Sequence, residues 1–417
     1  MAQLTDDCFA FGGGLLPIDE ARRMIFERVG VVAEAETAVL RQAAGRILAA
    51  DIVAEREVPG FTNSAVDGYA VRFDDLDPAA ETRLRMVDRI TAGHLPLSGV
   101  APGTAARIFT GAVMPDGADT VIMQEDCRED GGTVIIQPGI KRGANRRLAG
   151  EDIAEGVTVL RAGRRLGPSE IGVLAALGRT EVPVRRRLAA ALFSTGDEVS
   201  EPGTPLGHGR IYDANRFMIA ACLERLGVTV TDHGILPDQA GTLVHALTRA
   251  ARGHDLIVTS GGVSTGEEDH VRAAFAGEGS LFFWRLAIKP GRPVALGQIG
   301  GVPVVGLPGN PVAALITFAT VARPLIEALS GALPHVARRF RVVSGFPYKK
   351  RSGRREYVRV SLEPGDGSLL RARRFPKEGA GMLTSLTETE GLVELREDVT
   401  QVAPGAEVDF IPYGELI

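Results

Sequence analysis

Several short stretches bring together residue types that handle phosphate and metal. HDLIVTSGGVSTGEEDHV, His254 to Val271, leaves the apolar run Leu256-Ile257-Val258 and enters Ser260, Gly261, Gly262 and Ser264. Glycines let backbone approach a phosphate closely, and serines supply hydroxyls. Glu267, Glu268, Asp269 and His270 follow; such acids read either as cation ligands or as the acid-rich first turn of a helix. In LPGNP, Asn310 suits a helix N-cap and Pro311 a first helical turn, so free N–H groups beside Pro308 and Gly309 make an anion site or an ordinary β–α turn. Glu198 and Asp238 end two further apolar runs, LAAALFSTGDE and HGILPD. Glu198, Asp238 and Asp269 therefore fall at or beyond strand ends of one sheet. Carboxylates that converge there repel one another unless a cation such as Mg²⁺ sits among them. Lys289, in LAIKPGRP, adds positive charge with Arg285 and Arg292 nearby; the group reads as a phosphate clamp or as a solvated basic loop.

The elements that must position these residues follow from periodicity. From 184 to about 330, apolar strands alternate with amphipathic helices such as NRFMIAACLERLG, closed by Gly227. That alternation predicts a doubly wound, mostly parallel α/β sheet, and ligands bind such sheets outside the carboxyl ends of the strands. Residues 16–50 and 150–183 read as helical, with Ser169 as an N-cap. Between them, 53–149 is a run of short β-like segments broken by Gly and Pro. The expected organisation is a discontinuous helical domain (15–52 plus 150–183), an inserted β-rich domain (53–149), an α/β ligand-binding domain (184–330) and a C-terminal β-barrel-like domain (331–417).

Composition narrows the function classes. The 417 residues carry a net charge of -5, with 45% hydrophobic and 24% charged residues, as expected of a multidomain globular protein. The acidic balance gives no bulk attraction to nucleic acid or an anionic membrane. Cys8, Cys127 and Cys222 are far apart and form no metal-ligating pair. The first residues, MAQLTDDCFAFGGG, carry acids where a signal peptide needs bases, and a cytoplasmic protein is expected. One segment departs from the overall balance: Arg338 to Lys377 holds 13 Lys/Arg against 3 Asp/Glu. It reads as a solvated β-domain surface, as a nucleic-acid patch, or as a face that steers an anionic substrate.

The stretches that carry the chemistry resemble the molybdopterin molybdenumtransferase family (MoeA, and the E domain of gephyrin). They are PGFTNSAVDGYAV (59–71), FTGAVMPDGADTVIMQED (109–126), RRLAGEDI (146–153), STGDEV (194–199), GRIYDANRFM (209–218), TSGGVSTGEEDHV (259–271), LAIKPGRPVALG (286–297) and GLPGNPVAA (306–314). SGRREYVRV (352–360) and GAGMLTSL (379–386) match more loosely. The resemblance implies a four-domain homodimer with a site shared between subunits. It implies transfer of molybdate into adenylylated molybdopterin, giving molybdenum cofactor and AMP with Mg²⁺. By motif it carries function onto Asp67, Thr110, Asp152, Glu198, Asp238, Asp269 and Lys289. Asp238 and Asp269 are the expected metal ligands, Glu198 would orient molybdate or the dithiolene, and Thr110 would hydrogen-bond the oxyanion. Departures fall at Arg285 and Ala380, where many relatives carry lysine and serine. Molybdopterin adenylyltransferase and cofactor-accepting molybdoenzymes are candidate partners; nucleic acid and membrane are not expected. The rivals are a molybdopterin adenylyltransferase-type nucleotide-binding enzyme, which would resemble 184–330 alone, and a scaffold or anchoring protein on the same fold.

Overall fold

The computed structural model describes residues 9–11, 14–237, 240–261, 279–365 and 367–417. They form two compact units, one of Met1–Ala49, Ala162–Gly167 and Val182–Ile417, the other of Ala50–Arg161 and Pro168–Glu181. The α/β sheet of the first unit has the strand order Thr229–Leu236, Ala189–Thr195, Leu256–Ser260, Val302–Leu307, Pro293–Ile299, Gly279–Arg285. The first four strands are parallel and the last two join antiparallel, through the tight Gly300–Gly301 turn. Strand alternation puts Leu192, Val258 and Val305 into one apolar core with Ile219 and Leu223 of helix Asn215–Arg225. Phe193, Ile257 and Val304 face the other way, against Leu243 and Leu247 of helix Ala240–Ala251. The sheet is thus covered on both faces, as the sequence pattern predicts.

The helix Pro311–Ser330 is the one described helix long and apolar enough to cross a membrane, but 89% of its most apolar 18-residue stretch is buried within the protein, where it serves as core. Against it packs Ile18–Arg28, which buries Ile18, Met24 and Ile25. Two helical expectations change in extent. Within 16–50 the α-helix covers only Ile18–Arg28, because the β-branched pair Val31-Val32 follows Gly30 and Ala35–Val39 is a strand, with one 3-10 turn at Leu40–Gln42. In the second unit the helix begins at Pro168, so Ser169 lies inside its first turn rather than capping it.

The C-terminal strands close on themselves. Arg355–Glu363, Arg371–Arg374, Phe340–Ser344, Glu407–Pro412 and Gly391–Leu395 pair in that order, and the last pairs back to the first. Val342, Val360, Val393 and Phe410 fill the barrel. The short strand Ile288–Lys289 adds in parallel to Arg355–Glu356, which fixes Lys289 to the barrel edge. In the second unit, a six-stranded sheet runs Thr120–Met123, Gly68–Val71, Thr104–Ile108, Thr82–Ile90, Thr133–Ile136, Cys127–Asp130.

Candidate active site

Strand ends of the α/β sheet frame a cavity of about 410 Å³. Its lining includes Ser194, Glu198, Asp213, Asn215, Ser260, Gly261, Pro308, Gly309 and Asn310. Two glycines shape it. Gly261 has φ +88°, and a Cβ there would meet the Thr195 carbonyl oxygen at 2.5 Å, so only glycine lets these two strand ends approach. Gly196 has φ +132°, and a Cβ there would sit 2.7 Å from Glu198 Oε2, so the bare backbone makes room for the Glu198 carboxylate.

Asn215, the first residue of its helix, ties two strand ends together. Its Nδ2 donates to Ser260 Oγ at 2.9 Å and to the Gly309 carbonyl at 2.8 Å. Asp213 beside it is held by Arg216, whose Nε donates to Asp213 Oδ2 at 2.9 Å. Arg216 also pairs with Asp232 and Glu201. Burial alone would lower the pKa of Arg216; the bonds to Asp232 and Asp213 outweigh it and raise the value. Asp213 is therefore neutralised from behind, and Glu198 is the exposed carboxylate of the cavity.

A second, more basic pocket of about 230 Å³ lies between Lys289 and the barrel, lined by Tyr348, Arg359, Arg374, Phe375, Lys377, Glu378 and Ala380 among others. Lys289 Nζ is 3.7 Å from Glu356 and remains half-exposed. Arg374 pairs with Glu378. Arg359 has no carboxylate partner among the described residues: its Nη1 donates to Ser385 Oγ at 2.6 Å, and its guanidinium lies 5.6 Å from the Phe375 ring centroid. Burial lowers the Arg359 pKa from the ordinary arginine value, and a guanidinium so placed still keeps its charge. Lys289, Arg359, Arg374 and Lys377 face the carboxylates Glu356 and Glu378, which leaves the pocket net positive. Elsewhere in the basic segment, Arg338, Arg339, Arg341 and Arg355 pair with Glu415, Glu394, Asp409 and Glu397.

The turn that lines the second pocket touches the helix start beside the first. The Ala380 carbonyl accepts the Val312 N–H at 3.0 Å, and a Cβ on Gly381 would lie 3.6 Å from Asn310 Oδ1. Asn310 has the extended backbone of an N-cap, with Pro311 following, but its side chain makes no capping bond.

In the second unit, Asp67 Oδ1 accepts both the N–H and the hydroxyl of Thr110, each at 2.8 Å. Those bonds, the backbone one first, hold the Asp67 carboxyl below its ordinary pKa. The Thr110 hydroxyl hydrogen expected to reach an oxyanion is thus given to Asp67, and the two act as a pair. Asp152 is exposed on the same unit.

Comparison with known proteins gives a consistent assignment. Residues 16–178 match the family described as MoeA N-terminal region (domain I and II), 191–328 a probable molybdopterin binding domain, and 341–413 the MoeA C-terminal region (domain IV). The molybdopterin molybdenumtransferase of Haemophilus influenzae is 37% identical over 97% of this chain and 100% of its own length. The molybdopterin molybdenumtransferase 2 of Mycobacterium tuberculosis is 36% identical over 89% of this chain and 93% of its own length. The structure of a molybdopterin biosynthesis MoeA protein from Pyrococcus horikoshii superposes with a TM-score of 0.81 at 29% identity, covering 96% of this chain and 100% of that one. The chain belongs to the molybdopterin molybdenumtransferase family.

For a molybdopterin molybdenumtransferase of this sequence, the expected residues fall in distinct places. Glu198, Ser260, Gly261, Pro308, Gly309 and Asn310 line one cavity. Lys289 lines the other. Arg285, exposed at the end of an edge strand, lines neither; its carbonyl accepts the Leu16 N–H at 2.8 Å. Asp67, Thr110 and Asp152 belong to the second unit. Asp238, Gly262, Ser264 and Asp269, with Glu267, Glu268 and His270, lie outside the described residues. Among the described residues there is no group of three or more His, Cys, Asp or Glu able to hold a metal.

Sequence reasoning missed Arg359, Lys377 and Asn215. The first two were hidden in a basic run whose partners are distant in sequence. Asn215 read only as a helix start, although a helix-opening Asn just after Asp213 was a usable signal.

Proposed function

We propose that the chain inserts molybdate into adenylylated molybdopterin, giving molybdenum cofactor and AMP. One observation carries this reading: the turn at Ala380, which lines a net-positive pocket with Lys289 and Arg359, bonds to the helix start beside a larger cavity at the strand ends. The pairing suits a small oxyanion beside an elongated organic substrate.

In this reading Lys289 and Arg359 bind the molybdate oxyanion, and the Phe375 and Ser385 contacts orient the Arg359 fork. Glu198 sits where it can orient the reacting end of the organic substrate. Release of AMP is hydrolysis of the phosphoanhydride: a water oxygen bonds to one phosphorus as the bridging P–O bond breaks, a proton is released, and both phosphates are left with negative charge. Preorganised cations offset that charge without reorganising at the moment of reaction. Asp238 and Asp269 would hold Mg²⁺, which would offset phosphate charge. A homodimer is part of the proposal too: Asp67, Thr110 and Asp152 of one subunit serve the substrate bound by the other. Molybdopterin adenylyltransferase would supply the substrate, and molybdoenzymes would accept the product.

The test is AMP release from adenylylated molybdopterin by wild type and by Lys289→Gln, with and without molybdate. Release that requires molybdate and falls in the variant supports the reading. Binding of the substrate without any molybdate-dependent release sinks it.

A further inference from the structure

One face of the six-stranded sheet in the second unit turns from apolar to basic as it nears Asp67. Val71 and Ala105 are register partners in the core on that face. Two residues along, Tyr69 stands opposite Arg107, and Arg107 stands opposite Arg89 on the next strand. Cross-strand partners share a face, so the three form a row. Phe109, two residues after Arg107, carries the row up to Thr110.

The row is stacked. The guanidinium carbon of Arg107 lies 4.8 Å from the Tyr69 ring centroid and 4.9 Å from that of Phe109. That of Arg89 lies 4.7 Å from the Phe109 centroid. The rings crowd the guanidinium faces and leave the N–H edges as the part a ligand can use. Arg89 is exposed and Arg107 partly so. Of the five donors on Arg107, one bonds the Gly68 carbonyl at 3.2 Å and one Gln124 Oε1 at 2.5 Å. Among the described residues neither arginine forms an ion pair, and the Arg89 side chain makes no hydrogen bond. Neighbouring acids are engaged elsewhere. Asp88 accepts the N–H groups of Leu97 and Ser98, Glu129 accepts the Tyr69 hydroxyl, and Asp67 accepts from Thr110. The Arg107 charge adds to the Thr110 bonds in lowering the Asp67 pKa, so it lies near that carboxylate.

We infer that Arg107 and Arg89 are phosphoryl-binding residues of the second unit, holding a phosphate of the substrate that Asp67 and Thr110 serve. This rests on the proposed role of Asp67 and Thr110. Two unpaired cations with fixed planes and free edge donors match phosphate oxygens. A heterocycle is a poorer occupant, because rings of the protein already stack on these guanidiniums. Phe109 is the positioning residue: its ring touches both.

The experiment is titration calorimetry of the full-length protein with pyrophosphate, AMP and molybdate. Arg107→Gln and Arg89→Gln are each expected to bind pyrophosphate, AMP or both about tenfold more weakly, the probe affected identifying which phosphate is held. Molybdate affinity should not change. Phe109→Leu should weaken the same probe although it removes neither charge nor donor. Arg128→Gln removes an exposed arginine elsewhere on the sheet and should bind as wild type does. Arg89→Gln breaks no hydrogen bond and is expected to melt with wild type, so it keeps the test valid if Arg107→Gln melts early. Wild-type affinity for both phosphate probes in both arginine variants overturns the inference, and so does a loss confined to molybdate or one matched by Arg128→Gln. If wild type binds neither phosphate probe, the inference falls together with the proposed role of Asp67 and Thr110.

Discussion

The carbonyl oxygen of Ala380 accepts the amide hydrogen of Val312 at 3.0 Å. A turn of the C-terminal β domain thereby occupies a donor at the start of the Pro311 helix that an anion would otherwise use. In the proposed reaction the oxyanion takes the Lys289–Arg359 pocket, which the same turn lines through Ala380. Arg359→Gln keeps most of the side chain's bulk and removes its charge. It should weaken molybdate binding about tenfold or more, the worth of one charge-assisted hydrogen bond. Titration calorimetry at two salt concentrations checks this, and wild-type affinity should fall with salt while the variant's falls less.

Gly261 is required by backbone geometry rather than by ligand contact. With φ +88° and the Thr195 carbonyl 2.5 Å from a built Cβ, Gly261→Ala forces the two strand ends apart. The expected loss is about 1–3 kcal/mol of stability, read from denaturant unfolding with unchanged m-value. Gly309→Ala is the control: nothing lies within 4 Å of its Cβ and no positive φ is involved, so stability should hardly change.

His335 gives the first unit a pH dependence near neutrality. Burial first, then the Arg323 charge, lowers its pKa below the ordinary 6.5, against the opposing pull of Glu327 and Glu415. The unfolded chain therefore binds a proton more readily than the folded one between the lowered value and 6.5. Stability from this group is full above pH 6.5 and declines as the pH falls through that window. His335→Gln should flatten the thermal-stability profile between pH 7 and 5; an unchanged slope would assign it to another group, such as His233, also lowered chiefly by burial.

The proposed sharing of the site between subunits predicts complementation. Asp67→Asn and Glu198→Gln homodimers should each be nearly inactive in AMP release. Mixed and re-associated, they should form heterodimers with one site free of both substitutions. The expected yield is up to about a quarter of wild-type activity per subunit, from statistical re-association. Activity no greater than that of the two variants measured separately would place both residues in one subunit's own site.

Much of this was legible in the chain because local chemistry and global fold agree. The strand-helix alternation and the helix start at Pro311 each have a local cause and each appears as expected, although Asn310 makes no side-chain capping bond. Residues 29–50 failed because good helix formers there lose to a short strand, Ala35–Val39, whose partner is far along the sequence. The basic segment could not be read because the acids that neutralise Arg338 and Arg339, Glu415 and Glu394, come from other strands. The pocket around Lys289 needs barrel closure to bring Arg359 and Lys377 beside it, and no spacing rule encodes a closure of that kind.

The central claim is metal transfer coupled to nucleotide release, and stoichiometry tests it most directly. Purified protein loaded with adenylylated molybdopterin would be given molybdate and Mg²⁺ in a single turnover, with AMP and pterin-bound molybdenum quantified together. The account predicts one AMP released per molybdenum incorporated, with both falling in Glu198→Gln and Lys289→Gln. AMP released at the same rate without molybdate, or without molybdenum appearing on the pterin, would contradict it.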